Sequence, residues 1–516
     1  MASLALVPIL LAIPFFIFIL IFSLSLFWNP HGLPWNWPIL GTIPTVIRHI
    51  HRIHDRITEI LIQTSSSTFS FKGIWFTNTD FIMTVHPPNI HHIMTLHFHN
   101  YPKGPDFRHI FDILGDGIFN SDHDSWRAQR RTAQALIGDR RFLDFMARAA
   151  TEKVAKGLVG VLDFASQKGS VVDLQDLFLR LAFDSTCMMV TGFDLNSLCV
   201  EFPEIGFSKA MDEAQEVIFV RHLMPRFLWE LQKKLHIGEA KRMNKATEVI
   251  DHTIAKLLAI KRDRIKAAAS HQFNHEFDHQ QDDAADLITW YMVNKHDDKF
   301  LRDTILNFMI AGRDALSICL SWFFFSLSQN PKVVTKIREE LKAIIPQHSQ
   351  SPNQPTIFAI EELDNLVYLH AALCETLRLY PPIAFQHKSP AEADMLPSGH
   401  RVKPHTVILI SMYALGRIRS VWGEDCEEFK PERWISERGT VKREASYKFF
   451  SFNAGPRTCL GKGVAFSQLK IVSAAIIHNY NIEAVKENNV VTPSASVMLH
   501  MKNGFKVRVS KRWSHE

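Results

Sequence analysis

Paired cysteines, blocks of one charge and internal repeats are all missing from this 516-residue sequence, and each absence removes a class of protein. The six cysteines stand singly at positions 187, 199, 319, 374, 426 and 459, with no Cys-x-x-Cys among them. That excludes zinc ribbons, thioredoxin-type chemistry and a disulfide framework, and it fits a reducing compartment. Lysine plus arginine number 58 against 53 acidic residues, a net charge of +5, and no Lys/Arg-rich block occurs. So mild a balance predicts no nucleic-acid partner. At 46% hydrophobic and 22% charged, the chain is neither disordered nor of low complexity.

Charge is absent from the amino terminus, where Arg48 is the first charged side chain. From Leu4 to Trp28 the chain is rich in Leu, Ile and Phe, and about 20 apolar residues cross a bilayer. The run is too long for a cleaved signal and lacks a basic lead or a small-x-small site. Residues 1–29 therefore read as a retained single-pass anchor in contact with membrane lipid. Arg48, Arg52 and Arg56 follow it, which places the body on the cytosolic side. Residues 30–47 carry Pro30, Pro34, Pro38 and Pro44 and read as a stiff spacer. Trp28, Trp35 and Trp37 sit where an interfacial belt is expected. Residues 48–516 form the body.

Within the body, Thr68 to Val85 reads as a small hairpin, and Asp124 to Ile345 as mainly helical. Ser270–Asp283 and Pro346–Pro355 are polar loops. His271, His275 and His279 in the first have a metal-compatible spacing on a helix, but their Gln, Asn and Asp neighbours favour a solvated loop. Ile360–Tyr380 and Leu460–Tyr480 read as helices, with short strands to about Ile410 and a terminal hairpin over Met498–Val509. The fold class is mainly α with small β-sheets, an α+β arrangement.

The sharpest signal runs Phe452-Asn453-Ala454-Gly455-Pro456-Arg457-Thr458-Cys459-Leu460-Gly461. It is a turn that delivers one cysteine to the start of a helix, where unpaired N–H groups and the helix dipole favour thiolate. Gly455 and Gly461 leave room for a flat ligand, and Arg457 can meet an anionic group at its edge. Every fixed position of Phe-x-x-Gly-x-Arg-x-Cys-x-Gly is present, and in that the segment resembles the haem-binding signature of the cytochrome P450 superfamily. Four further segments match in order. Glu375 and Arg378 resemble the Glu-x-x-Arg pair, on one helical face. Pro431-Glu432-Arg433-Trp434 resembles the later arginine motif, with Trp for the common Phe. Trp126 and Arg130 resemble the Trp-x-x-x-Arg that meets a haem propionate, and Ala311-Gly312-Arg313-Asp314 looks like the distal helix.

The resemblance implies a cytochrome P450 fold and haem b, its iron ligated by Cys459, whose thiolate would favour O–O cleavage. It implies propionate contacts from Trp126, Arg130 and Arg457, and a structural set of Glu375, Arg378 and Arg433. It implies NADPH–cytochrome P450 reductase as partner, with Arg127, Arg130, Arg131, Lys462 and Lys470 as a basic docking face. Location in the endoplasmic reticulum membrane also follows. The substrate pocket would include Phe308, Ala311, Ala315, Leu316, Ile383 and Val497, within wider stretches Tyr101–Phe119, Ile383–Phe385 and Val497–Leu499.

One departure bears on activity. Hydroxylating members usually carry Thr after the distal acid, whereas Ala315 follows Asp314 here, and Ser317 lies about 200° further round the helix. Asp314, water or the substrate's own hydroxyl must then supply protons. Asp116–Asn120, Phe183–Cys187, Trp434 and Leu499–Gly504 resemble the plant fatty-acyl and alkane hydroxylase clan. One alkaloid-forming branch of that clan couples phenols. The expected activity is para–para′ C–C coupling of the phenolic substrate 4′-O-methylnorbelladine, with Asp314 and Ala315 as the catalytic positions. The alternative is oxidation of a long alkyl chain.

Overall fold

The computed structural model describes residues 16, 17, 19, 20, 33–77, 79–271, 286–294, 296–344, 354–485 and 491–512. The expected anchor lies almost wholly outside these residues, as do most of Ser270–Asp283 and Pro346–Pro355.

The helices that shape the site are α1 (Gly104–Ile110), α2 (His123–Ile137), α3 (Leu174–Thr191), α4 (Gly206–Leu223), α5 (Gly238–His271), α6 (Asp298–Gln329), α7 (Val367–Leu379) and α8 (Lys462–Asn479). Helix α6 is apolar on nearly every side because it is buried on nearly every side. Asp297 caps it by accepting from the Phe300 amide at 2.7 Å. Among the described residues it alone is long and apolar enough to cross a membrane, yet it is a core helix. It runs close against α3 at Gly312, where a Cβ would lie 2.5 Å from Thr186 Oγ1.

Strands β1 (Thr68–Phe71) and β2 (Phe81–Thr84) form the expected hairpin. They extend through β7 (Val407–Ser411) to β4 (Phe385–Lys388), in the order β1-β2-β7-β4. β5 (Asp394–Met395) and β6 (Arg401–Val402) pair separately, and β3 (Val171–Asp173), β9 (Lys506–Lys511) and β8 (Tyr480–Ala484) make a third sheet. One large apolar cluster surrounds α3, α6, α7 and α8; a second lies under α4 and α5, and a third against the four-stranded sheet.

Two expectations are corrected. The helix over Ile360–Tyr380 is interrupted, and α7 begins afresh at Val367 because Glu340 accepts from the Tyr368 and Leu369 amides at 2.7 and 2.9 Å. No hairpin forms over Met498–Val509. Met498 bridges Ile383, and β9 pairs with β8 and β3. Gly504, at φ +69°, brings the chain so close to Asp173 that a Cβ would lie 1.9 Å from its carboxylate. The strand is thereby turned away from Met498.

Candidate active site

Cys459 lies three residues before α8, its amide donating to Phe452 O at 2.8 Å. Its side chain is accessible, yet burial is the strongest influence on its thiol and pushes the pKa up. The Gly461 amide, Arg130 and Lys462 pull the other way, toward thiolate. Gly455 has a different duty from the one its motif suggested. At φ +61°, its missing Cβ makes room for the Met94 carbonyl, which would otherwise be 1.9 Å away.

The expected anion-binding residues gather at this loop. Arg130 donates to Thr458 O at 2.7 Å, and the Arg457 guanidinium lies 4.6 Å above the Trp126 ring. Arg457 donates to Ser121 O at 2.8 Å and to Asp122 at 2.6 Å, while its buried Nε has no partner. Two residues missed in the sequence join them. Lys388 is buried and donates to Tyr101 O at 3.1 Å, and Lys103 Nζ stands 4.1 Å over the Phe107 ring. Burial, with Arg457 alongside, pushes Lys388 down to about 7 and Lys103 well below its ordinary value; burial likewise brings Arg457 to about 10. Asp122 is the one carboxylate acting on all three. A dianionic edge is what such a donor set fits, since buried cations need counter-charge. The residues present fit haem: its two propionates would carry that charge, and Cys459 would hold its iron.

Opposite in kind is the distal helix. In the middle of α6, Phe308, Ala311 and Ala315 stay accessible at i, i+3 and i+7 while most of their neighbours are buried. This stripe carries no polar atom. Ser317 is buried and donates back to Asp314 O at 3.1 Å. Asp314 is fully buried and turned toward α4, where Gln215 donates to it at 2.7 Å and Arg313 at 3.0 Å. Arg313, itself fully buried, also pairs with Asp212 at 2.7 Å. Ile383 and Val497 come together through the Ala384 amide to Val497 O contact at 3.4 Å, and both are half-buried. Leu316, expected in the pocket, is packed in the large apolar cluster instead. Lys470, expected on a docking face, is buried and donates to Leu363 O and Asp364 O at 2.8 and 3.1 Å.

Beneath the loop, Glu375 is the hub of a buried network. It accepts from Arg378 Nε and Nη2 at 2.8 and 2.7 Å, from the Lys430 amide at 2.9 Å and from Arg433 Nε at 3.4 Å. Trp434 adds its indole N–H at 2.8 Å. The tryptophan that departs from the common Phe thus contributes a donor that Phe lacks.

A cysteine held in a tight turn at a helix start, a buried cationic rim and an apolar helical stripe together define a haem-thiolate protein. The cytochrome P450 family profile matches residues 30–508. The chain is 42% identical to alkane hydroxylase MAH1 of Arabidopsis thaliana over 96% of this chain and 98% of that protein. It is 41% identical to noroxomaritidine synthase 2 of Narcissus aff. pseudonarcissus MK-2014, over 98% and 96% respectively. Cytochrome P450 86B1 of Arabidopsis thaliana is 35% identical over 93% of this chain. The chain belongs to the cytochrome P450 family, and so is a mostly helical oxidoreductase of the monooxygenase type with cysteine-ligated haem. The family generally acts with a reductase and on small molecules.

Proposed function

We propose that this P450 couples phenols, joining two para carbons within one substrate such as 4′-O-methylnorbelladine. The observation that carries this reading is the apolar stripe of Phe308, Ala311 and Ala315, with Ser317 buried and Asp314 committed to Gln215 and Arg313. The stripe of Phe308, Ala311 and Ala315 itself offers no hydroxyl, so in this reading the proton donor is the substrate's own phenol. Bound haem supplies the oxidising chemistry. Cys459 would hold its iron as thiolate; Trp126, Arg130 and Arg457, with Lys103 and Lys388, would hold its propionates. Glu375, Arg378 and Arg433 lock the scaffold below. The residues around Phe308, Ala311, Ile383 and Val497 fold the substrate so that its two rings approach, which is the larger part of the catalytic task. In the overall balance the substrate loses two hydrogens while dioxygen and two electrons and two protons from the reductase side become two waters.

Electrons come from NADPH–cytochrome P450 reductase, an acidic partner suited to Arg127, Arg131 and Lys462. Residues 1–29 are the anchor in the endoplasmic reticulum membrane, 30–47 the spacer and 48–516 the cytosolic catalytic domain. Ile39, Leu40 and Ile47 in the spacer, and Trp75 and Phe76 in the body, are exposed apolar side chains. The Trp75 amide donates to Ile39 O at 2.8 Å, which ties them together. They suit a body resting on lipid.

A second reading, oxidation of a long alkyl chain, is favoured by the likeness to a protein named alkane hydroxylase. Microsomes holding this protein and a plant reductase decide between them. Given the norbelladine, loss of two hydrogens without added oxygen supports coupling; gain of one oxygen on a long-chain alkane or fatty acid overturns it.

A further inference from the structure

The segment that brings Met94 to Gly455 is not α-helical. Over His92–Leu96 it opens into a π-turn, closed by the His97 amide donating to His92 O at 2.8 Å. Residues five apart on an α-helix lie about 140° round the axis. The wider turn instead sets the His92 and His97 rings on one another, centroids 4.1 Å apart and 19° between planes. Such turns are rare and recur at functional sites. Asp394, at the start of β5, reaches the same place, where His92 Nε2 donates to its Oδ2 at 2.8 Å. One ligand atom from each of His92, His97 and Asp394 lies within 4.8 Å of the other two. Solvent reaches all three: His97 is exposed, and the His92 and Asp394 side chains are 12% and 21% exposed.

The carboxylate is held as an anion with its oxygens oriented. Tyr101 OH donates to Oδ2 at 2.8 Å and the Met395 amide to Oδ1 at 2.7 Å, the kind of outer bonds that fix a metal ligand. Burial raises the Asp394 pKa, but the bonds from His92, Tyr101 and the Met395 amide outweigh it and bring the group to about 2.

We propose that His92, His97 and Asp394 bind one divalent cation of the zinc class, clamping the π-turn to β5. Two imidazoles and one carboxylate suit zinc, with water as a fourth ligand, whereas magnesium and calcium prefer oxygen throughout. The ion enters between His92 Nε2 and Asp394, and the hydrogen now shared there moves to Nδ1 of the same ring. His97, being exposed, turns its ring to close the third bond. The clamp stands behind the cysteine loop. Met94 of the same turn packs its carbonyl against Gly455, and Tyr101 O accepts from the buried Lys388. The inference is independent of which substrate the enzyme oxidises.

The test uses the full-length, haem-loaded protein without a histidine tag, stripped by chelator and dialysed against zinc alone. One zinc per chain should bind with a dissociation constant of about 1 μM or tighter, and excess magnesium should not displace it. His97→Ala and Asp394→Asn should each weaken zinc at least tenfold. Replacing His271, His275 and His279 together by alanine should leave the affinity unchanged. Thermal unfolding gives a second reading: zinc should raise the midpoint of the unmodified protein, as a ligand of the folded state does, but not that of His97→Ala. Because His97 is exposed, its variant decides the matter even if Asp394→Asn fails to fold. Zinc held as tightly by His97→Ala as by the unmodified protein overturns the proposal. So does loss of zinc from the triple histidine variant, displacement by magnesium, or no zinc retained by the unmodified protein.

Discussion

Removing the Glu375 carboxylate tests the scaffold below the cysteine loop quantitatively. In Glu375→Leu, five donors lose one acceptor group; Arg378, 0% exposed, is left as a buried cation, while Arg433 keeps Asp425 at 2.9 Å. Stripping one partner from a buried ion pair costs about 3–5 kcal/mol. Unfolding entropy of about 2.1 cal/mol/K per residue over roughly 470 residues amounts to about 1 kcal/mol/K, so Tm should fall by about 3–5 °C. The more telling variant is Glu375→Leu with Arg378→Met. Arg378 also donates to the carbonyls of Gly416, Cys426 and Glu428, so its loss has its own cost. The double variant should nevertheless be less destabilised than the sum of the singles by about 2 kcal/mol, because no cation is stranded. Thermal and denaturant unfolding of the haem-loaded proteins measure all three. Additivity within about 0.5 kcal/mol would refute the claim that the buried carboxylate serves to neutralise Arg378.

Trp434→Phe removes one N–H from the same carboxylate and should cost about 1–2 kcal/mol, read as a shift in denaturant midpoint. Lys388 carries a pH signature. Its folded pKa, about 7, lies below the ordinary 10.5, so its burial destabilises the apoprotein most at and below pH 7, and that destabilisation fades as pH rises toward 10. Apoprotein unfolding should show stability rising over that window; Lys103, also depressed, shares the effect, so Lys388→Met should reduce the rise and Lys388→Met with Lys103→Met should reduce it further. Ala315→Thr places a hydroxyl on the accessible stripe; coupling should persist while product mass reveals more oxygenated material. Asp314→Asn removes one of two carboxylates on buried Arg313 and should lower stability by about 3 kcal/mol, with product formed per folded molecule unchanged. Lost turnover at full stability would return a proton-donating role to Asp314.

What the sequence made legible was local. The turn around Cys459 is a contiguous string whose glycines, proline and arginine each have a near neighbour to serve. Glu375 and Arg378 share a helical face by spacing alone. The hairpin over Thr68–Val85 announces itself by its turn residues. Lys103 and Lys388 were invisible because nothing local distinguishes a buried lysine from a solvated one; 285 positions separate them, and only the fold buries both within the field of Asp122. Lys470 failed the opposite way: it looked like a surface cation, but α8 turns it inward to the carbonyls of Leu363 and Asp364. The carboxyl-terminal hairpin was misread because Val507 and Val509 alternate as a hairpin strand would, while Gly504 and Asp173 decide which partner they meet.

The distal helix shows how far spacing carries and where it stops. Angular position predicts that Ser317 leaves the face of Ala315, and it does. Angular position alone says nothing of what awaits Asp314 on its own side. Gln215 and Arg313 come from two helices, and their hydrogen bonds hold the carboxylate away from the stripe at which an acid would be needed. Replacing a threonine by alanine in a helix whose neighbouring acid stayed free would leave a proton donor within reach. Here the neighbouring acid is already bound by Gln215 and Arg313, so neither Ala315 nor Asp314 presents a free proton donor to the stripe. The coupling proposal answers that loss in the same terms, with a substrate that brings its own hydroxyl.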